Sequence, residues 1–278
     1  MLIGEPMPSQ YDWRFQIFGF PIRVTWLFWI IAAALGYNQA MSLDENYQRL
    51  APAVEGVSSP GFPILLCVWV AATLLSILVH ELGHALAFRY FGIQSEIVLY
   101  HMGGLAIPTA GYLYQRGGFR RRLTDGNQII ISAAGPLLQL ASGIVVGVGA
   151  LLAGIYTGEI GSWLKWFSAD ASWFAGAQIP ENAFTYALIN FYVLISLWWP
   201  LFNLLPVYPL DGGHIVQHTI AIVRRTDGLY EANLIGAVVG FGVAWWFFRS
   251  GMTINALLFV SLAMSNVQAM QQQGPRIW

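Results

Sequence analysis

Apolar residues gather along the chain in six long blocks, over 24–40, 62–88, 129–153, 183–205, 234–248 and 252–270. A helix needs about 20 apolar residues to cross the hydrocarbon core of a bilayer, and these blocks approach or exceed that length. The second block carries no charged side chain before His80. The pattern predicts an all-α polytopic membrane protein with about six transmembrane helices, forming a single membrane-embedded domain over 1–278. Residues 1–20 carry Glu5, Asp12 and Arg14 and lack a continuous apolar stretch. No cleaved leader is therefore expected, and the first block is expected to remain as a span.

Two connecting segments break the pattern. Residues 92–114 (GIQSEIVLYHMGGLAIPTAGYLY) are glycine-rich, hold β-type residues and show little helical period. They predict a short extended or β-hairpin segment packed against the protein, because irregular backbone at membrane depth must be buried or face water. Residues 159–180 mix Trp163, Trp166, Phe167, Trp173 and Phe174 with Lys165 and Asp170. They read as an interfacial aromatic belt. The pairs Gly143/Gly147 and Gly236/Gly240 have the four-residue spacing that lets membrane helices approach closely.

Composition agrees with a membrane setting. Hydrophobic residues make up 56% of the chain and charged residues 10%, against roughly 25% charged in an average soluble domain. Net charge is −1, which excludes nucleic acid as a partner. Cys67 is the single cysteine and lies inside an apolar run, so a disulfide scaffold is excluded as well. With six spans and a cytoplasmic N-terminus, the inner loops hold 10 of the 13 Lys and Arg residues. That bias predicts that both termini are cytoplasmic. The Arg120–Arg122 cluster then reads as a topology determinant near anionic lipid.

The strongest chemical signal is His80-Glu81-Leu82-Gly83-His84, at the end of the second block. Helix positions i and i+4 share a face, so two imidazoles can hold one metal ion. Glu81 stands beside them, placed to act on a metal-bound water without being a ligand. Ionisable groups within a span are costly unless paired or metal-bound, which makes function the default reading here.

A zinc site needs a third protein ligand and keeps a fourth position open. The remaining ionisable groups in or near the spans are mainly Asp211, His214, His218, His101 and Glu231. Asp211 stands out by its setting, Asn203-Leu-Leu-Pro206-Val-Tyr-Pro209-Leu-Asp211-Gly212-Gly213. Two prolines interrupt the helix and two glycines permit a sharp turn. Depth agrees: His80 lies about 27 Å along a helix entering from outside, and the fourth span exits to the same cytoplasmic side. The alternative for Asp211 is an ordinary helix-ending carboxylate. His214 and His218 share a helix face and His101 sits in the extended segment, so all three remain open at this point.

The HELGH run and the NLLPVYPLDGG run, in this order on two spans, resemble the site-2 protease family of intramembrane zinc metalloproteases. The resemblance covers about residues 20–225, and Ala134-Gly135-Pro136-Leu137 resembles a further motif of the family. Many relatives then have Asn where this chain has Gln139. The resemblance implies one Zn2+ held by His80, His84 and Asp211, with Glu81 as general base and acid. It implies that Asn203 helps hold substrate or the developing oxyanion, and that Gly103 and Gly104 belong to a segment pairing with extended substrate. It implies membrane-anchored, single-span protein substrates in a lipid bilayer, with the bacterial inner membrane as the expected location. No PDZ or CBS domain of the kind some relatives carry is expected, so the chain resembles the compact six-span branch. Two rivals are a non-proteolytic metal-binding relative, which need not keep Glu81, and a metal transporter. A transporter would spread acidic groups along several spans, whereas here the polar groups gather in one leaflet.

Overall fold

The computed structural model describes residues 7–52, 58–101, 103–109, 123–155, 157 and 183–273. The expected aromatic belt at 159–180 and the Arg120–Arg122 cluster lie outside the described residues. The chain opens with a hairpin, β1 (Trp13–Ile17) and β2 (Phe20–Val24), joined at Phe18 and Gly19 with φ of 51° and 78°. Two left-handed residues in succession suit the twist of a tight hairpin. Helix α1 runs over Trp26–Leu50 and α2 over Phe62–Tyr90. At the end of α2, Gly92 takes φ 76° and the Ile93 amide bonds the Phe88 carbonyl at 2.9 Å. This left-handed stop turns the chain directly into β3 (Ser95–Tyr100) and β4 (Gly103–Pro108).

The predicted hairpin after α2 is present, but it belongs to a larger sheet. The order is β1-β2-β3-β4, with β2 and β3 parallel and the other neighbours antiparallel. The all-α expectation is corrected by this four-stranded mixed sheet. Trp13, Phe15 and Ile17 alternate with Arg14 and Gln16, which is a strand period. Val24, expected to open the first span, instead ends β2 and pairs with Leu99. Ile22, Val24, Ile97 and Leu99 are buried with Phe28 and Ala32 of α1 and Ile77, Leu78 and Ala85 of α2. The sheet thus rests on the half of α2 that carries the HELGH run.

Five further helices complete those described. They are α3 (Asp125–Leu152), α4 (Ala183–Asn203), α5 (Asp211–Arg224) and the closely packed pair α6 (Leu229–Arg249) and α7 (Thr253–Gln273). Thr124 caps α3 by accepting from the Asn127 amide at 3.2 Å. Among the described residues, five helices are long and apolar enough to cross a membrane: α2, α3, α4, α6 and α7. The first of the six expected spans is not among them. Its helix is apolar from Trp26 to Gly36, then turns polar through Asn38, Gln39, Asp44, Glu45, Gln48 and Arg49. Cys67 is free and exposed on α2, as expected for a side chain facing lipid.

Between membrane helices the hydrophobic effect does little, and close packing with interhelical hydrogen bonds holds the bundle. Helix α2 is the hub, touching α1, α3, α4 and the β3–β4 hairpin. The expected small-residue contacts occur at Gly143, which abuts Ser196 of α4, and at Gly236 and Gly240, which abut Asn266 and Ala263 of α7.

Candidate metal centre

The five residues 80–84 each serve a different neighbour. His80 and His84 project from one face of α2, as their spacing requires. Leu82 packs on the core beneath the sheet. Gly83 abuts the backbone of α3, where an added β-carbon would stand 2.4 Å from the Ala134 carbonyl oxygen. Glu81 lies under β4: a β-carbon at Gly104 would stand 2.3 Å from its Cγ. His80, Glu81 and His84 are all buried.

Asp211 reaches this cluster from the far side of the sequence. It opens α5 after the irregular stretch 204–210, which contains Pro206 and Pro209. Gly212 and Gly213 sit directly on that stretch; β-carbons there would come within 2.2 Å of the Leu204 oxygen and 2.8 Å of the Tyr208 nitrogen. The turn therefore needs both glycines. Asp211 Oδ2 lies 3.1 Å from His80 Nε2, and its Oδ1 lies 3.4 Å from His84 Nε2. The two Nε2 atoms are 3.0 Å apart. Burial opposes ionisation of Asp211, but hydrogen bonds from His80 and His84 and their charge hold its carboxyl well below the usual range.

These separations fit a metal ion. Ligand atoms placed about 2.0–2.1 Å from a tetrahedral zinc stand about 3.3 Å from one another. The outer ring nitrogens are also satisfied, as in most metal-binding histidines. His80 Nδ1 donates to Gln139 Oε1 at 2.8 Å, and His84 Nδ1 donates to the Ile131 carbonyl at 2.7 Å. Both rings thereby turn Nε2 toward Asp211. Glu81 offers a second carboxylate within 4.8 Å of the histidine nitrogens. Asp211 approaches both ring nitrogens more closely, at 3.1 and 3.4 Å.

Three of the other candidates for the third position have polar partners outside the cluster. His214 Nδ1 pairs with the Tyr208 hydroxyl at 3.2 Å, and burial pushes its imidazole down toward the neutral form. His218 pairs with Asp125 at 2.8 Å, and Glu231 with Arg224 at 3.3 Å. The His101 ring lies against Tyr100, with centroids 5.2 Å apart. Asn203 donates to the Trp199 carbonyl at 3.3 Å, within its own helix rather than to the cluster. Gly103 sits against the Trp199 indole, with φ 122°.

The role of Gln139 is not evident from sequence. Its side chain is fully buried, and Nε2 donates to Ser76 Oγ at 2.8 Å. Ser76 in turn shares a 2.7 Å hydrogen bond with Ser196 of α4. Three helices thus hold the amide that holds His80. The sequence signal for it is a polar residue in the middle of an apolar span, with Ser76 one helical turn before His80. Replacing Gln139 by Leu keeps the volume but removes the acceptor. Zinc affinity is then expected to fall about 10- to 100-fold, read by competition with a chromophoric chelator. Wild-type affinity in that variant would show that His80 is oriented by packing alone.

Residues 68–247, well over half of the chain, match the model of Peptidase family M50. A relative from Synechocystis sp. is 27% identical over 234 residues, covering 83% of this chain and 49% of its own length. A zinc metalloprotease of Methanocaldococcus jannaschii is 25% identical over 207 residues, covering 74% of this chain and 49% of its own length. The site-2 protease structure from Methanocaldococcus jannaschii aligns with a TM-score of 0.45 at 21% identity, covering 96% of this chain and 97% of that one. The chain spans about half the length of the curated relatives it matches. The matched stretch contains the HELGH run, Gln139 and Asp211, the residues that the fold gathers into one cluster. By that match, this integral membrane protein belongs to peptidase family M50.

Proposed function

We propose that this chain is an intramembrane zinc metalloprotease, cutting peptide bonds within or next to transmembrane segments of membrane-anchored proteins. The observation that carries the reading is the meeting of His80, His84 and Asp211 at 3.0–3.4 Å, with a buried glutamate beside them. His80, His84 and Asp211 are the ligands. Zinc, when bound there, supplies Lewis acidity to water and to a peptide carbonyl.

Glu81 takes a proton from the attacking water at a carboxylate oxygen and returns it to the nitrogen of the leaving amine. Its position under β4 supports this role, because β4 ends the sheet and has one side without a strand partner among the described residues. An extended substrate segment adds to that edge at Gly103 and Gly104, by main-chain hydrogen bonds. A substrate helix must unwind to do so, and helix-breaking residues lower that cost. Asn203, at the end of α4, is the candidate donor to the carbonyl oxygen of the scissile bond.

The substrates are single-span proteins in the same bilayer. Helix α1 serves as a sixth crossing: its 25 residues span about 37 Å, and its apolar turns pack on α2. Six crossings put both termini on one side, and the Lys and Arg bias of the loops makes that side the cytoplasm, with a bacterial inner membrane as the location. Metal content of the purified chain tests the ligand set. About one zinc per chain is expected for the wild type, with loss in both His80→Ala and Asp211→Ala. Full zinc in Asp211→Ala would break the proposed set.

A further inference from the structure

The geometry points to Asn266, on α7, as a positioning residue for Asp211, acting through the backbone of Tyr208. This rests on the reading of Asp211 as a zinc ligand. Asn266 is 1% exposed and lies 55 positions after Asp211 in the sequence. Its Nδ2 donates to the Tyr208 carbonyl at 2.8 Å, and its Oδ1 accepts from the Tyr208 amide at 3.3 Å. One side-chain amide thus holds both main-chain groups of a single residue. The same Nδ2 also donates to the Leu262 carbonyl at 2.7 Å, one turn back on α7. The amide is therefore fixed at its own end before it grips the loop.

Tyr208 stands three residues before Asp211, in the irregular stretch that delivers the carboxylate. Helical hydrogen bonds do not fix such a stretch, and its polar groups must find partners elsewhere. Within it, Leu210 N bonds Val207 O at 2.8 Å, and Gly213 N bonds Leu210 O at 3.0 Å. These bonds shape the turn without tying it to the bundle. Asn266 ties its main chain to α7, while the Tyr208 hydroxyl ties its ring to Gln217 and His214 of α5. A carboxylate that must meet two imidazoles fixed on α2 depends on that anchorage. Small errors of position are costly in such a constellation.

Gly236 belongs to the same device. A β-carbon there would stand 2.3 Å from Asn266 Oδ1 and 3.3 Å from the Pro206 carbonyl oxygen. The absence of a side chain on α6 leaves the room in which the Asn266 amide reaches Tyr208. The spacing of Gly236 and Gly240 therefore serves the site as well as the packing of α6 on α7.

The test measures zinc affinity and the visible spectrum of the Co2+-substituted full chain in detergent, for wild type, Asn266→Ala, Gly236→Ala and the double variant. Asn233→Ala serves as control: it removes a buried amide from α6 whose hydrogen bond, among the described residues, stays within its own helix, at Leu229. Both single variants are expected to bind zinc about tenfold more weakly, with a changed Co2+ ligand-field band. The control keeps wild-type values. Gly236→Ala in the Asn266→Ala background adds little, because the amide it displaces is already gone and only the 3.3 Å approach to the Pro206 carbonyl remains. Should Asn266→Ala fail to fold, Gly236→Ala carries the test, since alanine is the better helix former. A role confined to packing would lower the unfolding temperature and leave affinity and spectrum unchanged, and that result overturns the proposal. Fully additive losses in the double variant overturn it too. Asp211→Ala is measured alongside. If it loses zinc while the α6 and α7 variants keep it, the positioning role alone fails. If it keeps zinc, the ligand assignment fails and the positioning role with it.

Discussion

Glu81→Gln is expected to abolish cleavage of a membrane-anchored reporter while zinc stays bound. The amide keeps the volume of the carboxylate beneath β4, where an added β-carbon at Gly104 would already stand 2.3 Å from Cγ. It cannot accept a proton from water. Loss of a general base of this kind costs on the order of 10³-fold in rate. His80, His84 and Asp211 are untouched, so metal content should remain at the wild-type value. The two readouts together separate proton transfer from metal binding. Full proteolysis by the variant would remove Glu81 from the mechanism, and loss of zinc with loss of activity would make it a ligand.

Gly135→Ala should abolish zinc binding through a single methyl group. In an ordinary helix this substitution is favourable by about 1 kcal/mol. Here the new β-carbon would stand 2.2 Å from His84 Nε2, the atom that faces Asp211. The ring has little room to retreat, because its Nδ1 is held by the Ile131 carbonyl at 2.7 Å. Relief by withdrawal of α3 would open the close backbone contact that Gly83 makes at Ala134 and Gly135. Zinc affinity is expected to fall about 100-fold or more, given what loss of a single supporting contact costs elsewhere. Unfolding temperature measured without metal should fall modestly, because the crowding of the His84 ring is present whether or not zinc is bound. Wild-type zinc affinity with wild-type activity would show that α2 and α3 separate easily at this point.

Much of the chemistry is legible in the amino-acid sequence. His80 and His84 share a helix face because 3.6 residues make a turn, and that geometry is local. The hairpin after α2 follows from glycines and β-type residues, and it is present over Ser95–Pro108. The strands at Trp13–Ile17 and Phe20–Val24 escape the pattern of apolar blocks, although the first has a clear two-residue alternation. Their place in the sheet depends on pairing with β3, about 75 positions away in the sequence. The first apolar block reads as a span from length alone, and its helix carries a polar second half that the block does not include.

Sequence alone determined what depends on neighbours within a few residues: the apolar blocks, the two imidazoles on one face, the glycine and proline setting of Asp211, and the family resemblance. Only the tertiary structure decided which candidate reaches the imidazoles, because 131 positions separate His80 from Asp211 and local sequence does not fix a contact over that distance. It also decided that Gln139 faces His80, that Gly135 leaves space for His84, and that Asn266 grips Tyr208. Local periodicity sets the face on which a side chain emerges. What that face meets is set by how the helices pack, and packing is a property of the whole chain.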